Sequence, residues 1–278
     1  VQNESRFAAH LRLVEAQVDQ ARKQVDASRQ QLAQAERISQ FWGGLLTHLR
    51  DANPSNVLLV LRREAEYIRS LANAGDPAWA DLEEIRADAE AWARASAVSF
   101  GRDFPDAIRQ AGLEIDSTSR HPKYTFKQGF VRVLVDDREF TAKVSCRDGV
   151  NVLIGMDVGP LVATLQREIA RIFDRKLDAD VFLRRLYTAY AAILRAEGRP
   201  EGEEVPLRRV MNRMAKNISR FVGDEFNVDL AQLVKSGSTT VDGLRMHLNH
   251  TRNARLGVLL HGLESGGYVG FISFKKES

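Results

Sequence analysis

Residues 11–35 read LRLVEAQVDQARKQVDASRQQLAQA, and the spacing of their apolar positions decides the architecture of the first third of the chain. Leu11, Val14, Val18, Ala21, Val25, Ser28, Leu32 and Ala35 recur at alternating intervals of three and four, which is an a/d seam. Between them stand almost only Gln, Arg, Asp, Glu, Lys and Ala. The segment therefore predicts one long helix, apolar along a narrow stripe and hydrated elsewhere. Such a helix lies against another, and Leu11, Val14, Val18, Val25 and Leu32 are its candidate association seam.

Two arrangements are open for it. The helix projects as a coiled-coil arm, for a protein partner or for self-association, or it folds into a three-helix bundle with the two helices that follow. It is expected to run from near Ser5 to Phe41 or Trp42, about 55 Å at 1.5 Å per residue, before Gly43 and Gly44 loosen it. Asn53-Pro54-Ser55-Asn56 then starts a second helix with Leu58, Leu61, Ala65, Ile68 and Ala72 on one stripe. Gly75-Asp76-Pro77 repeats the punctuation, and a third helix carries Leu82, Ile85, Ala89 and Trp92. The first helix is about twice as long as either neighbour, which favours an arm. Its small residues Ala21, Ser28 and Ala35 bury little area and make an isolated parallel dimer weak. A short helix from Phe104-Pro105 to Ala111 closes a helical region assigned to residues 1–111.

Residues 112–278 change character and read as an α+β domain. Over 124–146 the apolar residues alternate, with Val131, Val133 and Val135 and then Phe140, Ala142, Val144 and Cys146 on one face, around a turn at Asp136-Asp137-Arg138. A third strand, Asn151 to Ile154, follows a turn at Asp148-Gly149. Helices are expected over about 160–222: one to about Arg175, one capped by Asp178 and running to Glu197, and one from Val205 to Val222. Gly198-Arg199-Pro200-Glu201-Gly202 between the last two is the clearest linker. Strands return over about 243–275, with Leu244, Met246 and Leu248 alternating against polar neighbours, a turn at Gly266-Gly267, and Tyr268 to Phe274. A small antiparallel sheet joined to helices results, and a winged-helix-like arrangement is compatible with the order.

The composition bounds the function. The chain has 278 residues, 44% hydrophobic and 28% charged, with a formal net charge of +3, as an ordinary globular protein has. Its longest aliphatic run, Val57 to Leu61, is far short of the roughly 20 residues a membrane span needs, and the amino terminus lacks the apolar segment of a secretory signal. The single cysteine, Cys146, makes neither an internal disulfide nor a thiolate metal site, which fits a reducing cytoplasm. Residues 1–111 hold 14 basic and 16 acidic side chains, leaving 26 and 21 for the rest, so the C-terminal part is the one suited to an anionic partner.

The expected helix 205–222 is the leading functional candidate. Arg208, Arg209, Arg213, Lys216 and Arg220 line one face, Leu207, Val210, Met211, Met214, Ile218 and Phe221 the other, and the span holds no acid. Cations so close repel one another, and a DNA or RNA phosphate backbone would relieve that repulsion through counterion release. The alternative is a solvated face neutralised by Glu203, Glu204, Asp224 and Glu225. A weaker hint comes from Tyr124, Phe126 and Phe130 interleaved with Arg120, Lys123, Lys127, Arg132 and Lys143, the composition of a base-stacking strand surface. Asp136, Asp137, Glu139 and Lys143 raise a metal-dependent nuclease as a further alternative, against the tight-turn role that Asp136 and Asp137 fit equally well.

His247 and His250, three apart on a strand, point to opposite faces and make a poor ligand pair. No phosphate loop, metal motif or cofactor motif is present. The sequence thus leads to a non-enzymatic cytoplasmic subunit that associates through its first helix and contacts nucleic acid through a basic helix. A pure protein-protein interaction scaffold is the alternative.

Overall fold

The a/d stripe lies on one helix, α1 (Gln2–Arg50), of 49 residues. The computed structural model describes residues 2–146, 149, 151–253, 256–260 and 268–276, with side chains from His10 onward. The chain divides into two units, Val1–Trp92 and Ala93–Ser278. The division falls inside a helix.

In the first unit every residue from His10 to Arg37 is exposed, so the helices that follow do not cover the seam. Packing begins at the C-terminal end of α1, where Phe41 and Leu45 are buried and Phe41 meets Tyr67 edge to face at 5.6 Å. Gly43 and Gly44 do not end the helix as expected. They sit between two anchored side chains, and that packing outweighs the roughly 1 kcal/mol that each glycine costs. The expected second helix is two helices, α2 (Pro54–Arg63) and α3 (Ala65–Ala74), broken at Glu64. The Glu64 carboxylate receives Arg37 at 2.8 Å. Leu58, Leu61 and Ile68 are nevertheless buried, so the stripe survives the break.

The third helix and the short one expected after it are a single element, α4 (Ala78–Gln110), which runs through Pro105. Proline removes the bond to the Gly101 carbonyl. Phe104 and Ile108, both at 0% exposure, hold the helix across that defect by packing into the core of the second unit.

That core forms on a four-stranded antiparallel meander of β1 (Lys123–Phe126), β2 (Val131–Asp136), β3 (Thr141–Cys146) and β4 (Asn151–Gly155) in chain order. The alternation is realised: Val131, Val133 and Val135 pair in register with Cys146, Val144 and Ala142. Helix α5 (Val158–Phe173) covers the sheet with Leu161, Leu165, Ile169 and Ile172. Tyr124, Phe126 and Phe130 are at most 3% exposed inside this core, so they are not a stacking surface. Asp148, of the turn expected before β4, lies outside the described residues.

The rest of the unit continues with α6 (Ala179–Glu197), β5 (Val205–Pro206), α7 (Leu207–Asn217), α8 (Gly223–Ser236), β6 (Thr240–Val241), β7 (Leu244–Thr251), β8 (Val258–Leu259) and β9 (Tyr268–Lys276). Its sheet has the order β5-β9-β7-β6, with β8 also on β9. The first strand of this part, β5, pairs antiparallel with the last, β9, which also pairs with β7. The Gly266-Gly267 turn lies outside the described residues.

The 198–202 segment links α6 to β5, as expected, within one unit. Gly198, at φ +63°, ends α6 in the left-handed conformation. Arg199 binds Glu197, Glu203 and the Glu204 carbonyl, and the Tyr190 hydroxyl donates to the Glu203 carbonyl at 2.8 Å. Residues of α6 and α7 share one hydrophobic core. Among the described residues no helix is long and apolar enough to cross a membrane.

Candidate functional site

The basic helix is shorter than the sequence predicts. After Asn217 the backbone turns extended at Ile218 (φ −117°, ψ 114°). Arg220 adopts φ +63°, and a new helix, α8, starts at Gly223. Arg220 is therefore off the helix that was to present it.

The other four cations fare differently. Arg208 turns inward, its Nη2 donating to the Gly257 carbonyl at 2.9 Å. Arg209 is paired with Glu197, whose carboxyl is held below its ordinary pKa first by Arg209 and then by Arg199. Arg213 and Lys216 remain exposed, because Leu207, Val210, Met211 and Met214 take the inward stripe of α7. The solvated-face alternative thus accounts for Arg209, though through Glu197 of α6 rather than through Glu203 or Glu204.

Arg213 does not stand alone. It lines a groove of about 660 Å3 between α6 and α7, together with Arg184, Arg185, Thr188, Asn217 and Ser219. Val181, Ala189, Ala192, Met214 and Ile218 supply its floor, and no acidic side chain lines it. Arg184, Arg185, Arg213 and Lys216 make no ion pair among the described residues. Sequence reading missed Arg184 and Arg185. They sit on an amphipathic helix that also carries Asp180 and Glu197, so its charge looked balanced until folding carried Arg209 onto Glu197. The signal available was the stripe Val181, Arg185, Thr188, Ala192, with Arg184 beside it, which faces α7.

The second helix of a helix-turn-helix is the one that enters a DNA groove. Helix α8 is the helix that follows α7 here, and its environment opposes such a role. Its first turn holds Asp224 and Glu225, and it is buried on two sides, with Phe226, Leu230, Ala231 and Leu233 in one core and Val228 in the other. Beyond Val228, Glu225 pairs with Arg171 and Arg175, and Asp229 with Arg175; Glu168 completes the cluster on Arg171 at 2.9 Å. Burial raises the Asp229 pKa, against the pull of Arg175. The exposed Arg184, Arg185, Arg213 and Lys216 of α6 and α7 remain open to a polyanion.

The association seam is open along its whole length: Leu11 is 59% exposed, Val14 56%, Val18 43%, Val25 48% and Leu32 61%. Asp136 spends its Oδ1 on the N–H groups of Arg138 and Glu139, at 3.0 and 3.1 Å, which is the turn role. Asp137 faces His121 Nε2 at 2.8 Å, and Tyr124 hydroxyl lies 3.3 Å from the other ring nitrogen. Among the described residues no group of three or more His, Cys, Asp or Glu is placed to hold a metal ion, so nothing supports a nuclease centre on Asp137 and Glu139.

Burial, with Asp224 and Glu168 nearby, pushes the Cys146 thiol up to about 12. Thiolate is the reactive form. Alkylation of Cys146 by iodoacetamide at pH 8 is therefore expected to be on the order of a hundredfold slower than for an unhindered thiol, the gain in intrinsic nucleophilicity offsetting part of the lost thiolate. Mass spectrometry of quenched samples reads the rate. Comparison with protein-family models, with curated proteins and with solved structures finds no match to this chain.

Proposed function

We propose that this protein is a non-enzymatic cytoplasmic subunit that associates through the α1 seam and holds nucleic acid, by its phosphates, in the groove between α6 and α7. One observation carries the reading: Arg184, Arg185 and Arg213 line one groove with three neutral hydrogen-bonding side chains and no acid. Lys216 extends the positive edge one turn further along α7. Arginine matches phosphate through two parallel N–H donors, and hydroxyl and amide groups add neutral contacts. Nothing in the groove offers an aromatic face, so contact with the backbone, indifferent to sequence, is the mode supported. The cytoplasmic setting rests on the lone, half-buried Cys146.

The test is binding to a labelled duplex and a labelled single strand across a salt series. Four phosphate contacts predict a slope of about −3.6 for duplex in a plot of log K against log salt. A slope near zero, or no binding at low salt, sinks the reading.

The groove floor favours a second reading. Val181, Ala189, Ala192, Met214 and Ile218 form an aliphatic strip under a basic rim, which suits an amphipathic helix with acidic flanks from a partner protein. Under this reading the protein is an interaction scaffold. Failure of duplex and single strand alike, with capture of an acidic amphipathic peptide that is lost in Val181→Asp at an exposed position of the groove, would select it.

A further inference from the structure

Within the proposed association role, the α1 seam also specifies its occupant. We infer that α1 pairs with α1 of a second copy of this chain, antiparallel. Large and small residues alternate along the exposed seam of α1.

Position a of the heptad holds Leu11, Val18, Val25 and Leu32, and position d holds Val14, Ala21, Ser28 and Ala35. The helix is continuous through all of them, and every one is exposed. In a parallel pair each a meets its own copy and each d meets its own copy. Apart from the Val14 layer, layers of two Leu or two Val then alternate with layers of two Ala or two Ser, which leaves gaps that a close-packed seam does not tolerate. In an antiparallel pair a meets d. Every layer then joins a large residue to a small one, apart from the layers containing Val14, and this holds in whichever heptad register the helices meet. Large and small residues facing one another is how adjacent elements interdigitate.

The complement of this surface is therefore the same surface turned around. That is the property of an isologous two-fold interface, in which residue i contacts residue j and j contacts i. A different partner would have to supply the same alternation.

The flanking charges agree. Positions e are Glu15, Arg22, Arg29 and Glu36, and positions g are His10, Gln17, Gln24 and Gln31. A parallel pair sets e against g, where three of the four g residues are uncharged. An antiparallel pair sets e against e, bringing Arg22 or Arg29 of one copy within reach of Glu15 or Glu36 of the other. Like charges that also meet are eased by neighbours on the same helix, since Asp19 lies 3.9 Å from Arg22 and Asp26 lies 3.8 Å from Arg29.

The experiment uses the full chain, with Leu11→Cys in one preparation and Ser28→Cys or Ala35→Cys in a second that carries a size tag. Oxidative cross-linking is run on each preparation alone and on the mixtures, with mass by light scattering alongside. The expected result is a dimer by mass, no cross-link from Leu11→Cys alone, and a tagged–untagged cross-link in a mixture. Efficient cross-linking of Leu11→Cys to itself overturns the antiparallel inference while leaving association through α1 standing. A monomer at tens of micromolar, with no cross-link in any mixture, overturns the inference and removes self-association from the proposed function. Salt-dependent binding at the α6/α7 groove is read independently of either outcome.

Discussion

On the proposed function, exchanging Arg213 and Lys216 for Glu is expected to lower affinity for a labelled duplex on the order of 100-fold near 0.1 M salt and to flatten the salt slope by about 2. Each phosphate contact contributes close to one unit of slope, and reversing the charge adds repulsion to the lost attraction. Both side chains are exposed on the outer stripe of α7, whose inward residues Val210, Met211 and Met214 are untouched, so the thermal midpoint stays where it was. Arg209→Ala is the matching control. Arg209 is already engaged by Glu197, and its removal changes duplex affinity by no more than about threefold. Unaltered binding in the double variant would move the site elsewhere, and a fall in thermal midpoint would mean that the faces of α7 have been misassigned.

Replacing Arg175 by Met destabilises the second unit by about 3 kcal/mol at neutral pH, the scale seen when one member of a buried ion pair is removed. Arg175 is partly exposed, but its partner Asp229 is at 5% exposure and Glu225 is half-buried, so the carboxylates bear the loss. For a unit of this size the thermal midpoint falls by about 6–12 °C. The pH dependence has a definite sign. Burial already raises the Asp229 pKa, so the native state holds that proton above the pH at which the unfolded chain releases it. Stability linked to this carboxyl is greatest below the unfolded value of about 3.9 and is lost as pH rises through the higher folded value. Removing Arg175 strengthens the effect, so the gap between variant and parent narrows on acidification. Equal thermal shifts at pH 5 and pH 7.5 would contradict the burial of Asp229 as an ion.

What the sequence made legible was periodicity. The alternation in β2 and β3 buries one face only, and the a/d spacing of α1 sets an apolar stripe apart from a polar surround although the seam itself lies exposed. Elements buried all round were not legible. Helix α8 carries apolar and ionic residues on opposite sides because it meets a hydrophobic core on one and Arg171 and Arg175 on the other, so no stripe announces it. Local stop signals misled for a related reason. Gly43 and Pro105 lie inside helices because Phe41, Leu45, Phe104 and Ile108 are anchored nearby. The Gly198–Gly202 linker is where it was expected, fastened by Arg199 and Tyr190 from within one core. The basic helix was half legible. Arg213 and Lys216 are where its spacing put them, whereas Arg208 and Arg209 find a carbonyl and a carboxylate that are distant in sequence, and Arg184 and Arg185 arrive from another helix.

Helix α8 supplies side chains to both cores of the second unit and ionic partners to Arg171 and Arg175 of the α5 region. Opening either core alone would strip one side of it while the other still holds. Its amides can then exchange with solvent only when both cores open together, so they report the global unfolding free energy, and the two sheets exchange as one cooperative unit rather than as separate foldons. Helix α8 thus serves as the axle on which two cores turn into one folding unit.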